Sequence, residues 1–519
     1  MLASVFFSCK KNKFAYWDVD LVSPIARGTL NIKNFFGDSL FQSDNNHIMH
    51  LKFSRKVGDL KIDSLFKLKD TTINYSFMAF FTATVGPNSL LFYKTEEIDF
   101  KIPNDARIKQ GIIKNGTLKV KYSNTTRLPL LFLYSLSSAT KNNTSFYISE
   151  IVPPGTNSLI KTYNFDGYNM SFTGQYGNKF NTIVHTFTVY TAPNAQPDSI
   201  KFGQGIQAEI SYENIVPKYV EGYFGKQDIN IPYDSAVIGF SKTLEASNFQ
   251  INSAYINFRI VNDFGVDFRA QLDTVVSINT TNGNKVYLHS PILNSININR
   301  ATKTGNWTNP VNSSTTNISI NSNNSNLKPF IENLPNYLGY SGKILVNPNG
   351  NLSATNDFAY YNTGIRIFAD IDVPLIFRAD YFRLQDVLDI NFENVKQLNN
   401  VNEGRIIFNV TNNYPFKAKL QAYLLDENNN TLDSLLLSSN NTIQMASVNA
   451  NNDIIAPKNS QLIAYMNDST LDHLKKSKKI KLVSYFYLPP SPPDVVIYDD
   501  YFLDVVITID VNYRTFANN

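Results

Sequence analysis

The chain has 519 residues, 47 Lys and Arg against 43 Asp and Glu for a net charge of +4, and a single cysteine. That length exceeds what one compact core can organise, so three or four domains are expected. One cysteine excludes an intramolecular disulfide and any multi-cysteine metal site, and basic residues scattered along the chain give no nucleic-acid stripe. Hydrophobic residues make up 43% and charged residues only 17%; Asn, Ser and Thr fill the difference and favour turns over helix. Abundant Phe (37) and Tyr (29) suit pleated, half-buried surfaces, and the composition reads as all-β.

The N-terminus sets Leu2, Ala3, Val5, Phe6, Phe7 and Ser8 ahead of Cys9, an apolar stretch ending in a small residue before the cysteine. This is the pattern of a truncated lipoprotein signal, and Cys9 is the expected lipidation site. A lipid at Cys9 would hold the chain to a membrane without crossing it. Residues 1–13 are then signal remnant and tether, and residues 14–100 a separate strand-rich N-terminal region. No run of 18 apolar residues occurs.

Beyond residue 100, period-two apolarity dominates. Leu118, Val120 and Tyr122 share a face, as do Ile256, Phe258 and Ile260, and Val505, Ile507, Ile509, Val511 and Tyr513. The most informative feature is a repeat. Alternating strands end at Asn124, Asn262 and Asn412, six residues after Leu118, Ile256 and Ile406, at intervals of 138 and 150 residues. Each Asn is followed by Pro129, Gly265 or Pro415 and then by a second strand, a strand–turn–strand unit expected to pair upon itself. Such a unit is unstable alone, so each belongs to a sandwich. The expected architecture is tandem antiparallel, immunoglobulin-like β-sandwich modules at 101–235, 236–385 and 386–519, with very little helix. Residues 303–326, rich in Asn, Ser and Thr, read as a long loop or inserted hairpin in the middle module. Leu488-Pro-Pro-Ser-Pro-Pro493 is a stiff connector. One short helix is expected at 469–480, with Thr470 as N-cap before Leu471 and Leu474.

Several patterns that imitate functional sites read otherwise. His47 and His50 have metal-clamp spacing, but on a strand residues three apart face opposite ways. Gly203-Gln-Gly205-Ile-Gln-Ala208 precedes another alternating segment, not the helix a dinucleotide site needs. Asp426-Glu-Asn-Asn-Asn430 lacks the Gly and the bidentate Glu of a calcium loop and reads as a hairpin tip. Asp370 and Asp372 share a face without a partner base, as on a solvated edge. The lysines at 475, 476, 478 and 479 read as a solvated helix end. No catalytic, cofactor or metal residues are expected, and the chain reads as no enzyme.

Cys9, Trp17-Asp-Val-Asp20, Gly222-Tyr-Phe-Gly225, Asp372-Val-Pro-Leu375 and Ile497-Tyr-Asp-Asp-Tyr-Phe-Leu-Asp504 together resemble uncharacterised outer-membrane lipoproteins of Bacteroidota. The O-glycan acceptor pattern of that group, Asp-Ser/Thr followed by an aliphatic residue or Thr, is matched at Ser39, Ser64, Thr71, Ser199, Ser235, Thr274 and Ser434. The resemblance implies the cell envelope, a lipid-anchored outer-membrane position and no known activity. The tether Lys10-Lys-Asn-Lys13 lacks the acidic residues that accompany surface display in such proteins, which favours the periplasmic face. The expected role is structural or protein-binding, with an envelope protein as partner. The alternative is glycan binding, for which Trp17, Trp307, Tyr337, Tyr340, Tyr360 and Tyr361 are the candidate platforms.

Overall fold

The computed structural model describes residues 16–32, 41–61, 70–237, 245–391, 401–435, 441–450, 453–488 and 494–516. Cys9, its tether and the Pro-Pro stretch 489–493 lie outside the described residues. The described residues are 64% strand and 4% helix, arranged as multiple antiparallel sheets packed as sandwiches. Among the described residues no helix is long and apolar enough to cross a membrane.

In the first module, Arg107–Asn124 lies between Thr156–Asn164 and Gly205–Tyr223. Facing it, Leu130–Lys141 lies between Thr144–Val152 and Thr182–Thr191. The short strand Asn169–Ser171 bonds to both layers and closes one end. The alternation is spent where expected: Leu118, Val120 and Tyr122 are fully buried against Leu130, Phe132, Tyr134 and Leu136. Tyr122 and Phe132 meet edge to face at 5.0 Å. The middle module opposes a sheet containing Gly364–Pro374, Tyr255–Asn262 and Ser314–Asn321 to one containing Gln227–Val237, Tyr337–Val346 and Phe268–Ile278. The last opposes Tyr16–Leu30, Leu503–Phe516, Val401–Asn412 and Lys458–Met466 to a sheet built on Tyr381–Asp389, Lys479–Tyr487 and Lys417–Leu425. The last two modules share one continuous core, and the first has its own.

The repeat is present, but its two strands do not pair with each other. After each Asn the chain crosses from one sheet to the opposite one. Val401–Asn412 bonds to Lys458–Met466 and Leu503–Phe516, whereas Lys417–Leu425 bonds to Lys479–Tyr487 across the core. The reason is burial: in a hairpin the two apolar faces would lie side by side, both uncovered, whereas a crossing turns them onto one another. The asparagine makes the corner. Asn412 Oδ1 accepts the Tyr414 N–H (2.9 Å), and its Nδ2 donates to the Phe416 (3.0 Å) and Gln444 (2.9 Å) carbonyls. Asn262 does the same with Phe264, Val266 and Asn299 at 2.9, 3.0 and 2.8 Å. Asn124 does it with Thr126, Leu128 and Val152 at 2.9, 2.9 and 3.0 Å. All three side chains are fully buried, and none has a left-handed backbone. They serve through hydrogen bonds rather than through tolerance of positive φ.

The N-terminal region is not separate. Tyr16–Leu30 pairs with Leu503–Phe516, Met49–Lys61 with Gly364–Pro374, and Thr71–Met78 and Leu90–Asp99 complete the first module. Each supplies a neighbour that a module's own edge strand would otherwise lack. The short helix spans Asp468–Lys476 and is capped by Asn467, whose side chain accepts the Thr470 N–H at 2.8 Å, rather than by Thr470. Leu471 and Leu474 are its buried residues, as expected.

Candidate functional site at the junction of the first two modules

The strand Gly205–Tyr223 belongs to the first module for most of its length and then runs out beneath the middle one. There, Asp357–Tyr360 adds alongside it, pairing Tyr219 with Tyr360 and Glu221 with Phe358. On its other side Glu221 pairs with Gln110 and Tyr219 with Ile112. Residues two apart on a strand share a face, so Tyr219, Glu221, Phe358 and Tyr360 converge. The predicted 303–326 insertion is resolved into two parts. Thr302–Lys303 pairs with Val311–Asn312 as a small hairpin with Trp307 in its tip, and Ser314–Asn321 pairs with Tyr255–Asn262.

Lys303 reaches from this hairpin to the Tyr219 hydroxyl (2.7 Å) and Glu221 Oε2 (2.8 Å). The same carboxylate accepts from Gln110 Nε2 at 2.8 Å and from the Tyr219 hydroxyl. Burial pushes the Glu221 carboxyl up, but the donors Lys303, Tyr219 and Gln110 together outweigh it and hold it below its ordinary range. Glu221 is thereby fixed as an anion that positions Lys303 and Tyr219. Burial first, then that carboxylate, drives the Tyr219 hydroxyl far above its ordinary value, so it stays a neutral donor.

Trp307 stands edge to face against Tyr219 (5.9 Å, 81°) and Tyr360 (5.6 Å, 79°), yet it remains 56% exposed. Lys218 Nζ lies 5.4 Å from its ring centre. Lys218 also lines a shallow recess whose walls include Lys114, Lys141, Asp166, Tyr361 and Asn362. Lys114 Nζ sits 3.4 Å over the Tyr361 ring, and Lys141 donates to the Asp166 carbonyl at 2.9 Å. The Asp166 carboxylate is itself engaged by the Gly116 N–H at 2.8 Å and by Asn164. One ammonium group, that of Lys218, thus lies against the exposed indole, and the same lysine borders a recess with Lys114, Lys141 and one occupied carboxylate. The arrangement suits a ligand with an apolar ring face and anionic substituents.

Of the aromatic candidates named from sequence, the structure brings Trp307, Tyr360 and Tyr361 into this site. Trp17 lies exposed on Tyr16–Leu30, and Tyr340 reaches Asp234 at 3.4 Å, both outside it. Glu221, Lys303, Gln110 and the three lysines were not foreseen. The only sequence signal was the proximity of Glu221 to Gly222-Tyr-Phe-Gly225 and of Lys303 to Trp307. Among the described residues no cluster of His, Cys, Asp and Glu is placed to hold a metal ion. His50 bonds Asp372 at 2.6 Å, while His47 faces Asp499 at 3.4 Å. Asp370 and Asp372 lie on a central strand, not an edge, where Ser54, His50 and Lys52 of the neighbouring strand meet them. Gly203 takes positive φ, and Gly205 opens a strand, where its α-carbon approaches the Phe77 carbonyl too closely for a side chain. Asp426 closes a hairpin tip by accepting the Asn428 and Asn430 N–H groups at 2.9 and 2.8 Å.

No family model and no curated protein matches the sequence. Among solved structures, a protein described as secreted, from Parabacteroides distasonis, is similar at 13% identity and TM-score 0.27, over 55% of this chain and 82% of that one. The glycosylasparaginase PNGase F of Flavobacterium meningosepticum is similar at 12% and 0.16, over 59% and 96%. The subunit of T=1 particles derived from infectious bursal virus is similar at 9% and 0.13, over 95% and 85%. The comparisons assign the chain to no family. At such scores none of these likenesses bears on the fold or chemistry of this protein.

Proposed function

We propose that the protein is a non-enzymatic lipoprotein of the cell envelope, anchored to an outer membrane through Cys9, that binds glycan at the junction of its first two modules. The observation that supports this is the exposed Trp307, held upright by Tyr219 and Tyr360, with Lys218 against its ring and in turn bordering a recess lined by Lys114 and Lys141. An indole face stacks on the C–H face of a pyranose, and the lysines are placed to meet acidic substituents. Titration calorimetry with a uronic-acid oligosaccharide and a neutral one of equal length tests it. The acidic sugar should bind, and Trp307→Ala should abolish binding with the thermal transition unchanged. Equal heats from Trp307→Ala and the parent protein would refute it.

The structural or protein-interaction reading also has support. Asp357–Tyr360 staples the first module to the second, and the second shares its core with the third, as a spacer requires. Pull-down of the membrane-anchored chain that recovers one envelope protein, independent of Trp307, would favour it. The anchor is tested by fractionation. Cys9→Ala should move the protein from membranes to the soluble fraction, and retention after washing would remove the lipid from the account.

A further inference from the structure

Behind the junction, inside the first module, lies a partly enclosed cavity of about 330 Å³. Its walls are apolar, formed chiefly by Ile102, Ile112, Met170, Phe172, Ile183 and Ile215. Protein interiors pack as densely as organic crystals and do not leave voids of this size as ordinary slack. Water is a poor occupant, because an ordered water needs two to four polar partners. The polar side chains in the wall are Thr71, Lys101, Tyr212 and Tyr219. The Tyr212 hydroxyl is bonded to Tyr134 at 3.0 Å, and the Tyr219 hydroxyl is held by Glu221 and Lys303. Thr71 is also engaged. What remains is Lys101, exposed, whose ammonium makes no ion pair among the described residues.

We propose that this cavity binds a single alkyl chain carrying an anionic head, the chain within the apolar walls and the head at Lys101. At roughly 30 Å³ per methylene, close to the volume share of a liquid water, the space holds a chain of about eleven carbons. The volume lies within the range of small-molecule sites, and an apolar wall with one charged group at the rim is their usual composition. Nothing in this depends on glycan binding at the outer recess, with which the cavity shares only Ile113 among the lining residues.

Calorimetric titration of the full chain with laurate, below its micelle concentration, tests the proposal, with butyrate as the short control. Laurate should bind and butyrate should not. Ile112→Trp and Ile215→Phe fill the space from two different strands. Each should weaken laurate at least about tenfold, and the one that keeps the parent thermal midpoint decides the point. Lys101→Glu should weaken laurate several-fold while leaving dodecanol unchanged. Lauroyl-lysophosphatidylglycerol distinguishes the source: tighter binding than laurate points to a phospholipid, weaker binding to a free fatty acid. The idea is overturned if the parent protein does not bind laurate, or if a folded cavity-filling variant binds it as before.

Discussion

Replacing Asn412 by Ala tests whether the buried asparagine is what turns the chain between sheets. The side chain makes three hydrogen bonds to main-chain groups at 2.9–3.0 Å, and it is fully buried. Each such bond contributes about 1 kcal/mol net, and a buried partner left without one costs about 1–3 kcal/mol. Truncation strands the Tyr414 N–H and the Phe416 and Gln444 carbonyls together. Their combined loss should be on the order of 3–5 kcal/mol, softened only if water enters. A domain's whole stability is about 5–15 kcal/mol, so the variant should be near its limit. With a urea slope of about 1–3 kcal/mol per molar, the midpoint should fall by at least about 1 M. Asn412→Asp should be no better at neutral pH, because a carboxylate cannot donate to the two carbonyls. Equilibrium urea unfolding followed by far-UV circular dichroism measures both. If Asn412→Ala unfolds within about 0.5 kcal/mol of the parent protein, the corner is held by its flanking strands and the hydrogen bonds are incidental.

Acid should weaken the first module. The buried His185 has its imidazole held below its ordinary value of 6.5 by burial above all, with Glu96 opposing and Lys94 adding to the lowering. Above about pH 6.5 the ring is neutral folded and unfolded. As pH falls below that value the unfolded chain takes up the proton first, and stability drops until the lowered pKa is reached. Urea midpoints at pH 7.5 and 5.5 should therefore differ more for the parent protein than for His185→Phe; equal differences would clear His185. Ile406, fully buried between Ala464 and Ile509, should not tolerate Asp: an unpaired buried charge costs about 3–5 kcal/mol or more, whereas Asn409→Asp on the outer face should change little. An unchanged thermal transition for Ile406→Asp would mean the strand faces the other way. Gly265→Ala would push a β-carbon into the Phe358 ring beneath the junction site, and should lower both stability and acidic-glycan affinity. Unaltered affinity would uncouple the corner from the site.

How far the sequence discloses this molecule follows from the range of each interaction. Alternation reports which residues share a face, so the buried sets at Leu118–Tyr122 and Val505–Val511 were legible. The three asparagines were legible as turns because an amide side chain satisfies main-chain groups within four residues. Alternation does not report which sheet the next strand joins, so the crossing looked like a hairpin. Nor does it reveal partners 473 to 500 residues apart, such as Tyr16–Leu30 with Leu503–Phe516. The site suffered most. Trp307 and Tyr360 were each visible as aromatic candidates, but their meeting depends on Asp357–Tyr360 crossing into the first module's sheet. That crossing is fixed by the fully buried Asp357, which accepts from the Phe224 N–H at 3.0 Å and Asn347 Nδ2 at 2.7 Å. No local pattern announces such a carboxylate.

The Trp307 site and the cavity meet on one strand. Along Gly205–Tyr223 the pairing with Arg107–Asn124 is regular as far as Glu213 and then slips repeatedly between Glu213 and Tyr219. Asn214 enters left-handed backbone at φ 54°, its N–H held by Asp70 at 3.0 Å, and Pro217 withdraws a donor from the ladder. Such irregularities bend a strand and re-aim its side chains. Before the bend, Ala208, Ile210 and Tyr212 fill the first core. Within it, Ile215 and Pro217 turn aside and line the cavity. After it, Tyr219 and Glu221 face the middle module and carry Trp307 and Lys303. A straight strand would have kept packing the sandwich to its end, closing the cavity and leaving nothing for Asp357–Tyr360 to join. The distorted stretch is thus where a packing element becomes a binding one, and local sequence marks it only by Asn214 and Pro217.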